Sequence, residues 1–114
     1  MGNFTFRKRE RLLSWPEFQN VLNRGKKRKL DSTCTVYWLE NNLGWQRLGI
    51  ITSKKLGNAV IRNTAKRKFR EIFRRNKQRI VPALDIVIVA GKGSIDLPIA
   101  TLEKKVMQVL ETRV

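Results

Sequence analysis

Apolar residues recur along this chain at two spacings, one typical of helices and the other of strands. The first helical pattern begins with the capping-box pair Ser14 and Glu17 and ends at Gly25, a residue type common just after helices. Its apolar stripe consists of Phe18, Val21 and Leu22. We therefore predict a short amphipathic helix here, with the stripe packed in the core.

Strand patterns follow this helix. Residues 33–39 alternate and are rich in β-branched and aromatic side chains, and a second strand is expected at residues 46–52. The turn at residues 40–44 between them predicts a hairpin. Ahead of them, the basic residues 26–29 fit either a short strand or a turn. Residues 85–90 are almost continuously apolar, which is typical of an interior strand covered on both faces.

Two longer helices are expected in the second half of the chain. Residues 59–79 carry an apolar face at the helical period and end before Pro82, and from about Pro98 a last amphipathic helix follows. Residues 91–94 are expected to form a loop. The two apolar faces consist of Ile61, Ala65, Phe69, Ile72 and Phe73 in the first helix and Leu102, Val106, Val109 and Leu110 in the second.

The resulting order is helix, strand, strand, strand, helix, strand, helix. It predicts an α+β fold, an αβ sandwich with a mixed sheet of about four strands. A length of 114 residues suffices for one domain with one modest core, and no internal repeat or linker divides the chain. The strand–helix–strand unit of residues 46–90 would ordinarily be a right-handed crossover, as nearly all such units are.

The charge balance narrows the class of partner. The chain has 25 Lys and Arg residues against nine Asp and Glu, a formal net charge of +16. Such an excess indicates a polyanionic partner, with nucleic acid first and an anionic membrane second. The longest wholly apolar run, residues 86–90, is far too short to span a membrane, and no apolar segment of a signal peptide follows the basic amino end. We therefore expect a cytoplasmic protein.

Cysteine and histidine usage disfavours several enzyme classes. The single cysteine, Cys34, permits neither an intramolecular disulfide nor a cysteine-rich metal site, and its place in a predicted strand favours a small buried hydrophobe. With no histidine, the commonest general base is absent. The nine carboxylates are scattered, so a protein-only nuclease is disfavoured.

The amino-terminal residues 1–11 are mostly polar and basic, and we predict a flexible arm. Phe4 and Phe6 are candidate anchors within it. Contact with RNA and disorder without function both fit this segment.

Basic side chains concentrate in the middle of the chain. Residues 54–79 hold eleven of the 25 Lys and Arg residues and a single acid, Glu71. On the predicted helix they form a row beside the apolar face, with no alternation of sign that would indicate a solvated salt-bridge surface. This row, called the cationic ridge below, consists of Arg62, Lys66, Arg70 and Arg74, widened by Arg67 and Lys77. Gly57 and Asn58 are suited to the turn and the N-cap that begin the helix.

Residues 54–71, KKLGNAVIRNTAKRKFRE, resemble the "RNR" signature of the bacterial ribonuclease P protein subunit. The spacing agrees over eighteen residues, which is far more specific than a basic run. Looser similarity extends over nearly the whole chain, including the first helix, the aromatic strand position at Tyr37 and the strand at residues 85–89. That family has the rare left-handed crossover, and its fold is that of the second domain of a small-subunit ribosomal protein.

The resemblance implies a function in which the protein is not itself catalytic. The family's protein assists a large catalytic RNA that removes the 5′ leader from precursor tRNA, with Mg²⁺ held mainly by RNA. The residues implied in contact with the catalytic RNA are Lys54, Lys55, Asn58, Arg62, Asn63, Lys66, Arg67 and Arg70. The residues implied in the cleft for the single-stranded leader are Phe18, Leu22 and Tyr37, with Leu22 standing where the family often has an aromatic residue.

Two other functions also fit parts of the sequence. A small basic ribosomal protein or general RNA chaperone would share the size and charge, and the eighteen-residue signature is what separates it from the ribonuclease P subunit. A protein-only endonuclease is the third reading. Stimulation of the catalytic RNA by the protein, compared with cleavage by the protein alone, distinguishes all three.

Overall fold

A computed structural model of the protein describes residues 7–112. A four-stranded mixed sheet lies at its centre, in the order β1-β2-β4-β3. The strands are β1 (Lys26–Leu30), β2 (Cys34–Glu40), β3 (Arg47–Ile51) and β4 (Leu84–Ala90). The helices are α1 (Trp15–Arg24), α2 (Ala59–Asn76), α3 (Gly93–Asp96) and α4 (Ile99–Thr112), with single 3-10 turns at Lys8–Glu10, Lys54–Leu56 and Lys77–Arg79. The predicted α+β class and the four-stranded mixed sheet are confirmed.

The pairing of the strands differs from the sequence prediction. β4 lies between β2 and β3, antiparallel to β2 and parallel to β3, so the predicted hairpin of β2 with β3 is wrong. The physical reason is that β4 is apolar on both faces and almost wholly buried, which requires a central position. The hairpin that does form joins β1 to β2, so residues 26–29 are a strand rather than a turn. Its turn is held by the Asp31 carboxylate, which accepts hydrogen bonds from the Thr33 N–H and hydroxyl.

Helices cover the two faces of the sheet unequally. α2 and α4 pack on one face and form the larger core with β2, β3 and β4, including Phe69, Ile72 and Leu102. α1 packs on the other face, where Val21 lies in a smaller cluster with Leu12 and Val87. The predicted loop at residues 91–94 is shorter than expected, because α3 already begins within it.

The connection from β3 through α2 to β4 joins neighbouring parallel strands. Gly57, with φ +148°, makes the turn before α2, and a Cβ there would lie 2.8 Å from Ile61 Cδ1. Asn58 caps the helix, because its side-chain oxygen accepts the Ile61 N–H at 3.0 Å. The predicted turn and N-cap are thus confirmed, and the left hand of this crossover stays a prediction from the resemblance.

The segment before α1 is packed against the sheet as far as the structure describes it. Glu10 is buried and its carboxylate accepts two hydrogen bonds from Lys77 Nζ, at 2.9 and 2.7 Å. Arg11 forms an isolated parallel bridge with Leu48 of β3. The predicted flexible arm is therefore wrong for residues 7–11, because a buried ion pair and backbone pairing hold them, and Phe4 and Phe6 lie outside the described residues. Lys77 points inward to this pair and does not belong to the exposed ridge as predicted.

A second charged network fixes α1 to the sheet. Arg47 of β3 donates through Nε and Nη2 to both oxygens of the buried Asp85, at 2.8 and 2.6 Å, and through Nη1 to Glu17 of α1 at 2.9 Å. The pKa of Glu17 lies below its usual value, chiefly because its carboxylate accepts a hydrogen bond from the Leu13 N–H group. The hydrogen bond from the Ser14 N–H group and the charge of Arg47 also lower it. The predicted capping box is present at this helix start.

Cys34 is buried in the larger core, in agreement with its predicted role as a small hydrophobe. Burial, followed by the nearby Asp31 charge, raises the pKa of its thiol to about 12. Among residues 7–112, no three His, Cys, Asp or Glu side chains come together as a metal site. No helix in that range is long and apolar enough to cross a membrane.

The buried pair of Glu10 and Lys77 gives a stability prediction. Lys77→Met should lower the free energy of unfolding by about 3 kcal/mol, because it leaves the Glu10 carboxylate buried without its cation. Glu10→Gln should then cost less in the Lys77→Met background than in the parent chain, as measured by urea denaturation. Lys104→Met, which removes an exposed lysine, is the control and should change stability by less than about 0.5 kcal/mol. Equal effects of the two lysine substitutions would contradict the structural role of the pair.

Candidate nucleic-acid interface

The cationic ridge lies on the part of α2 that faces away from the core. Arg67, Arg70 and Asn63 are exposed, while Arg62 and Lys66 are half-buried at the border with the apolar face. An open depression of about 420 Å³ runs along this surface. Its lining residues are Arg11, Asn63, Arg67, Arg70, Glu71 and Arg74.

One acid, Glu71, lies among the positive charges that line this depression. Burial, and then the like charge of Arg11, lower the pKa of Arg70 from its usual value. Arg74 forms an ion pair with Glu71, and its Nε and Nη2 atoms donate to the two carboxylate oxygens of Glu71 at 3.0 and 2.6 Å. The hydrogen bonds from Arg74 are also the main cause of the lowered pKa of Glu71. The one acid of α2 therefore neutralises the carboxy-terminal end of the ridge and leaves Arg67 and Arg70 facing solvent.

Arg62 has an unmet hydrogen-bonding requirement. Its Nε atom is buried and has no hydrogen-bond partner among the residues that the structure describes. A buried donor without a partner costs free energy unless water or a ligand satisfies it. The guanidinium is suited to a phosphate, which it can bind through two parallel hydrogen bonds.

The remaining basic residues of this region divide into exposed and structural ones. Lys54 and Lys55 are exposed in the 3-10 turn before α2, and Asn58 is exposed while its side-chain oxygen serves as the N-cap. Lys68 has a structural role, because its Nζ donates to three backbone carbonyls at 2.7 to 3.2 Å. Those carbonyls belong to Ser94, Ile95 and Leu97. Its charge alone therefore does not distinguish Lys68 from the residues of the cationic ridge.

The three predicted leader-binding residues come together on the opposite face of the sheet, around α1. Phe18, Leu22 and Tyr37 are half-buried and pack against the smaller core cluster. The Phe18 ring lies directly over Gly49 of β3, where a Cβ atom would overlap it. The absence of a side chain at that position therefore lets α1 approach the sheet closely.

Beside α1, the sheet surface stays partly open. Thr35, Val89 and Ile51 are paired across β2, β4 and β3 and therefore lie in one row on the α1 face. All three are half-buried, whereas Val87 in the neighbouring row is fully buried under α1. This row, called the open row below, lies next to the row of Tyr37, Val87 and Gly49 on which α1 packs, and the strip of sheet beside α1 is called the groove below.

Two residues of the site were missed by the sequence analysis. Trp15 is 57% exposed and its ring stacks on Phe18, with ring centroids 6.1 Å apart and an angle of 22° between the planes. The signal in the sequence was a Trp three residues before Phe18, and it supplies a second aromatic ring on the helix that carries Leu22. Arg11 was placed in the arm, and no local pattern indicates its position beside Arg70.

The ridge and the groove meet at the β3 edge of the sheet. Arg11 contributes to the ridge depression, and the next residue, Leu12, is buried in the cluster under α1. The Leu12 N–H donates to the Leu48 carbonyl at 3.0 Å, which keeps this segment beside β3. The two surfaces are thus connected around one edge.

Comparison with known proteins gives one consistent result. The family model described as Ribonuclease P matches residues 6–113. The ribonuclease P protein component of Streptococcus agalactiae is 38% identical over 105 residues, covering 92% of this chain and 94% of the relative. That of Petrotoga mobilis is 38% identical over 92 residues, covering 81% of this chain and 77% of the relative.

A solved structure agrees with the sequence relatives. The ribonuclease P protein from Thermotoga maritima superposes with a TM-score of 0.81 at 33% identity, covering 92% of this chain and 97% of that one. Since the family model spans nearly the whole chain and the relatives exceed 30% identity over most of it, the chain belongs to the ribonuclease P protein family.

Proposed function

We propose that this protein is the protein component of ribonuclease P, which binds the catalytic RNA and the 5′ leader of precursor tRNA. In that function it assists the Mg²⁺-dependent removal of the leader by the RNA during tRNA 5′ maturation. The observation that carries the proposal is the exposed cationic face of α2, which bears the family signature and whose single acid, Glu71, pairs with Arg74.

The catalytic-RNA contact is assigned to this face and to the turn before it. Exposed Arg67 and Arg70 and the buried donor of Arg62 are suited to phosphate oxygens, and Asn63 adds a neutral donor and acceptor among them. The like charges of Arg11 and Arg70 favour a bound polyanion. The full set assigned to this contact is Lys54, Lys55, Asn58, Arg62, Asn63, Lys66, Arg67 and Arg70.

The leader is assigned to the groove beside α1. Leader sequences vary between tRNAs, so binding should depend on base faces and backbone rather than base edges. Stacking on an aromatic ring stabilises by roughly 1–3 kcal/mol per base for any base. Phe18 and Tyr37 are half-buried with open sheet beside them, which suits such stacking, and Leu22 completes the apolar wall.

The chemistry is assigned to the RNA, with Mg²⁺ held mainly by RNA phosphates. Five of the nine carboxylates pair with a Lys or Arg side chain of the protein itself. They are Glu10, Glu17, Glu71, Asp85 and Glu111. These carboxylates are therefore engaged within the fold, and the cations that remain screen repulsion between the phosphates of the two RNAs.

The proposal is tested first by reconstitution. Purified protein added to the catalytic RNA should increase cleavage of a leader-bearing precursor tRNA at low Mg²⁺ concentration, because cations at the RNA reduce the Mg²⁺ requirement. The measurement is the rate of leader release with protein alone, RNA alone and both together. Cleavage by protein alone would support a protein nuclease instead, and no stimulation would support a ribosomal protein or chaperone.

The cationic ridge gives a second prediction. Arg62→Ala with Arg67→Ala should weaken catalytic-RNA binding, raise the Mg²⁺ needed for cleavage and reduce the slope of log affinity against log salt by about 1.4 to 1.8, since two phosphate contacts are lost. The matched control is Arg75→Ala with Lys104→Ala, which removes two exposed cations elsewhere on the helical layer. An equal change of this slope in the two double variants would show that binding of the catalytic RNA depends only on net charge.

The leader groove gives a third prediction. Tyr37→Ala should spare assembly with the catalytic RNA and weaken holoenzyme binding of leader-bearing precursor relative to mature tRNA, by about tenfold or more from the loss of one stacked base. Tyr37→Phe keeps the ring and should retain most of the preference. Equilibrium binding of both substrates measures the difference, and an equal loss for precursor and mature tRNA would refute the assignment of the groove.

A further inference from the structure

The edge strand β1 carries a second concentration of positive charge that the proposed function does not use. Its first four residues are Lys26, Lys27, Arg28 and Lys29, and all four are exposed. None of them forms an ion pair with another described residue. The nearby acid Asp31 is engaged by Thr33 in the turn.

The register of the sheet separates these four cations into two pairs. Lys27 lies opposite Tyr37 and Lys29 opposite Thr35 in the antiparallel pairing of β1 with β2. Residues directly opposite each other in such a pair project from the same face of the sheet. Tyr37 belongs to the cluster under α1, so Lys27 and Lys29 project from the face that carries the leader groove.

The other two cations project from the opposite face. Lys26 lies opposite Trp38 and Arg28 opposite Val36, and both of these partners are buried in the core beneath α2 and α4. Lysines on an edge strand also prevent pairing with other sheets, but that role does not depend on the face from which they project. The two pairs are therefore equal in charge and exposure and differ in the face of the sheet from which they project.

Lys29 continues the open row to the sheet edge. The register places Lys29, Thr35, Val89 and Ile51 side by side across all four strands. Three interstrand spacings make this row about 15 Å long. At its other end, β3 leads into the exposed Lys54 and Lys55 before α2. The row thus has a half-buried, largely apolar floor and positive charge at both ends.

We propose that Lys27 and Lys29 bind backbone phosphates of leader nucleotides that cross the open row beyond Tyr37. This inference rests on the proposed function and adds two residues that make binding depend on leader length. Bases stack at Tyr37 and Phe18, and the chain continues over the open row to the β1 edge, where its phosphates meet the two ammonium groups. A leader too short to reach that edge gains no affinity from the two lysines.

The test compares two charge-matched double variants in the reconstituted holoenzyme. Lys27→Gln with Lys29→Gln removes the groove-facing pair, and Lys26→Gln with Arg28→Gln removes the pair on the other face. Dissociation constants are measured for mature tRNA and for precursors whose leaders are lengthened one nucleotide at a time. Thermal unfolding of each variant verifies the fold, which exposed substitutions should leave intact.

Substitution of the groove-facing pair should weaken the binding only of precursors with long leaders. We expect affinity for them to fall about two- to tenfold, as is usual for two exposed ion pairs, with no change for the shortest leader or mature tRNA. The slope of log affinity against log salt should decrease by about 1.4 on long leaders, since two single-strand phosphate contacts are lost. The control pair should leave both quantities unchanged.

Two outcomes would overturn the inference. One is an equal effect of the two pairs, and the other is an effect of Lys27→Gln with Lys29→Gln that is absent or independent of leader length. Tyr37→Ala, measured on the same substrates, separates this failure from failure of the proposed function. If Tyr37→Ala reduces the preference for precursor while the lysine pair does not, the groove assignment stands and only its extension to β1 fails.

Discussion

The burial of β4 is the constraint on which the rest of the structure depends. This strand is apolar on both faces, so it must have a neighbour on each side and a helical layer above and below. β2 and β3 are its two neighbours in the sheet. Because β3 and β4 are parallel, the chain must cross over the sheet between them, and α2 lies in this crossover. The same requirement brings α1 onto the opposite face, over Val87. The ridge and the groove are thus consequences of how one strand is covered.

Electrostatics decides which parts of this framework face a partner. With nine acids against 25 Lys and Arg residues, few cations can be neutralised within the chain. Three of the acids join separate elements: Glu10 pairs with Lys77, and Glu17 and Asp85 both pair with Arg47. The remaining cations are unevenly distributed, because most of those on α2 lie along the cationic ridge, whereas β1 presents its cations on both faces of the sheet. A polyanion that follows the β3 edge and the α1 face would meet both groups.

The groove combines two kinds of interaction that suit a variable single strand. Half-buried rings of Tyr37 and Phe18, with Trp15 stacked beside Phe18, provide flat apolar surfaces, and cations stand at both ends of the open row. Neither depends on base identity. In the proposed function the protein thus supplies position and charge, and the reactive centre is that of the RNA.

Local pattern in the sequence determined α1, α2 and α4, the approximate extents of β2, β3 and β4, the Asn58 cap and the row of cations on α2, because each depends on residues within a few positions of one another. Only the tertiary structure decided which strands pair, since the covered position of β4 excludes the hairpin that the short β2–β3 connection favours. It also decided that Lys77 and Lys68 are internal while Arg67 and Arg70 are exposed. The partners of the two lysines, Glu10 and the backbone carbonyls of residues 94, 95 and 97, are distant in sequence. Register across the sheet, which assigns Lys27 and Lys29 to the groove, is likewise set by contacts that no single segment contains.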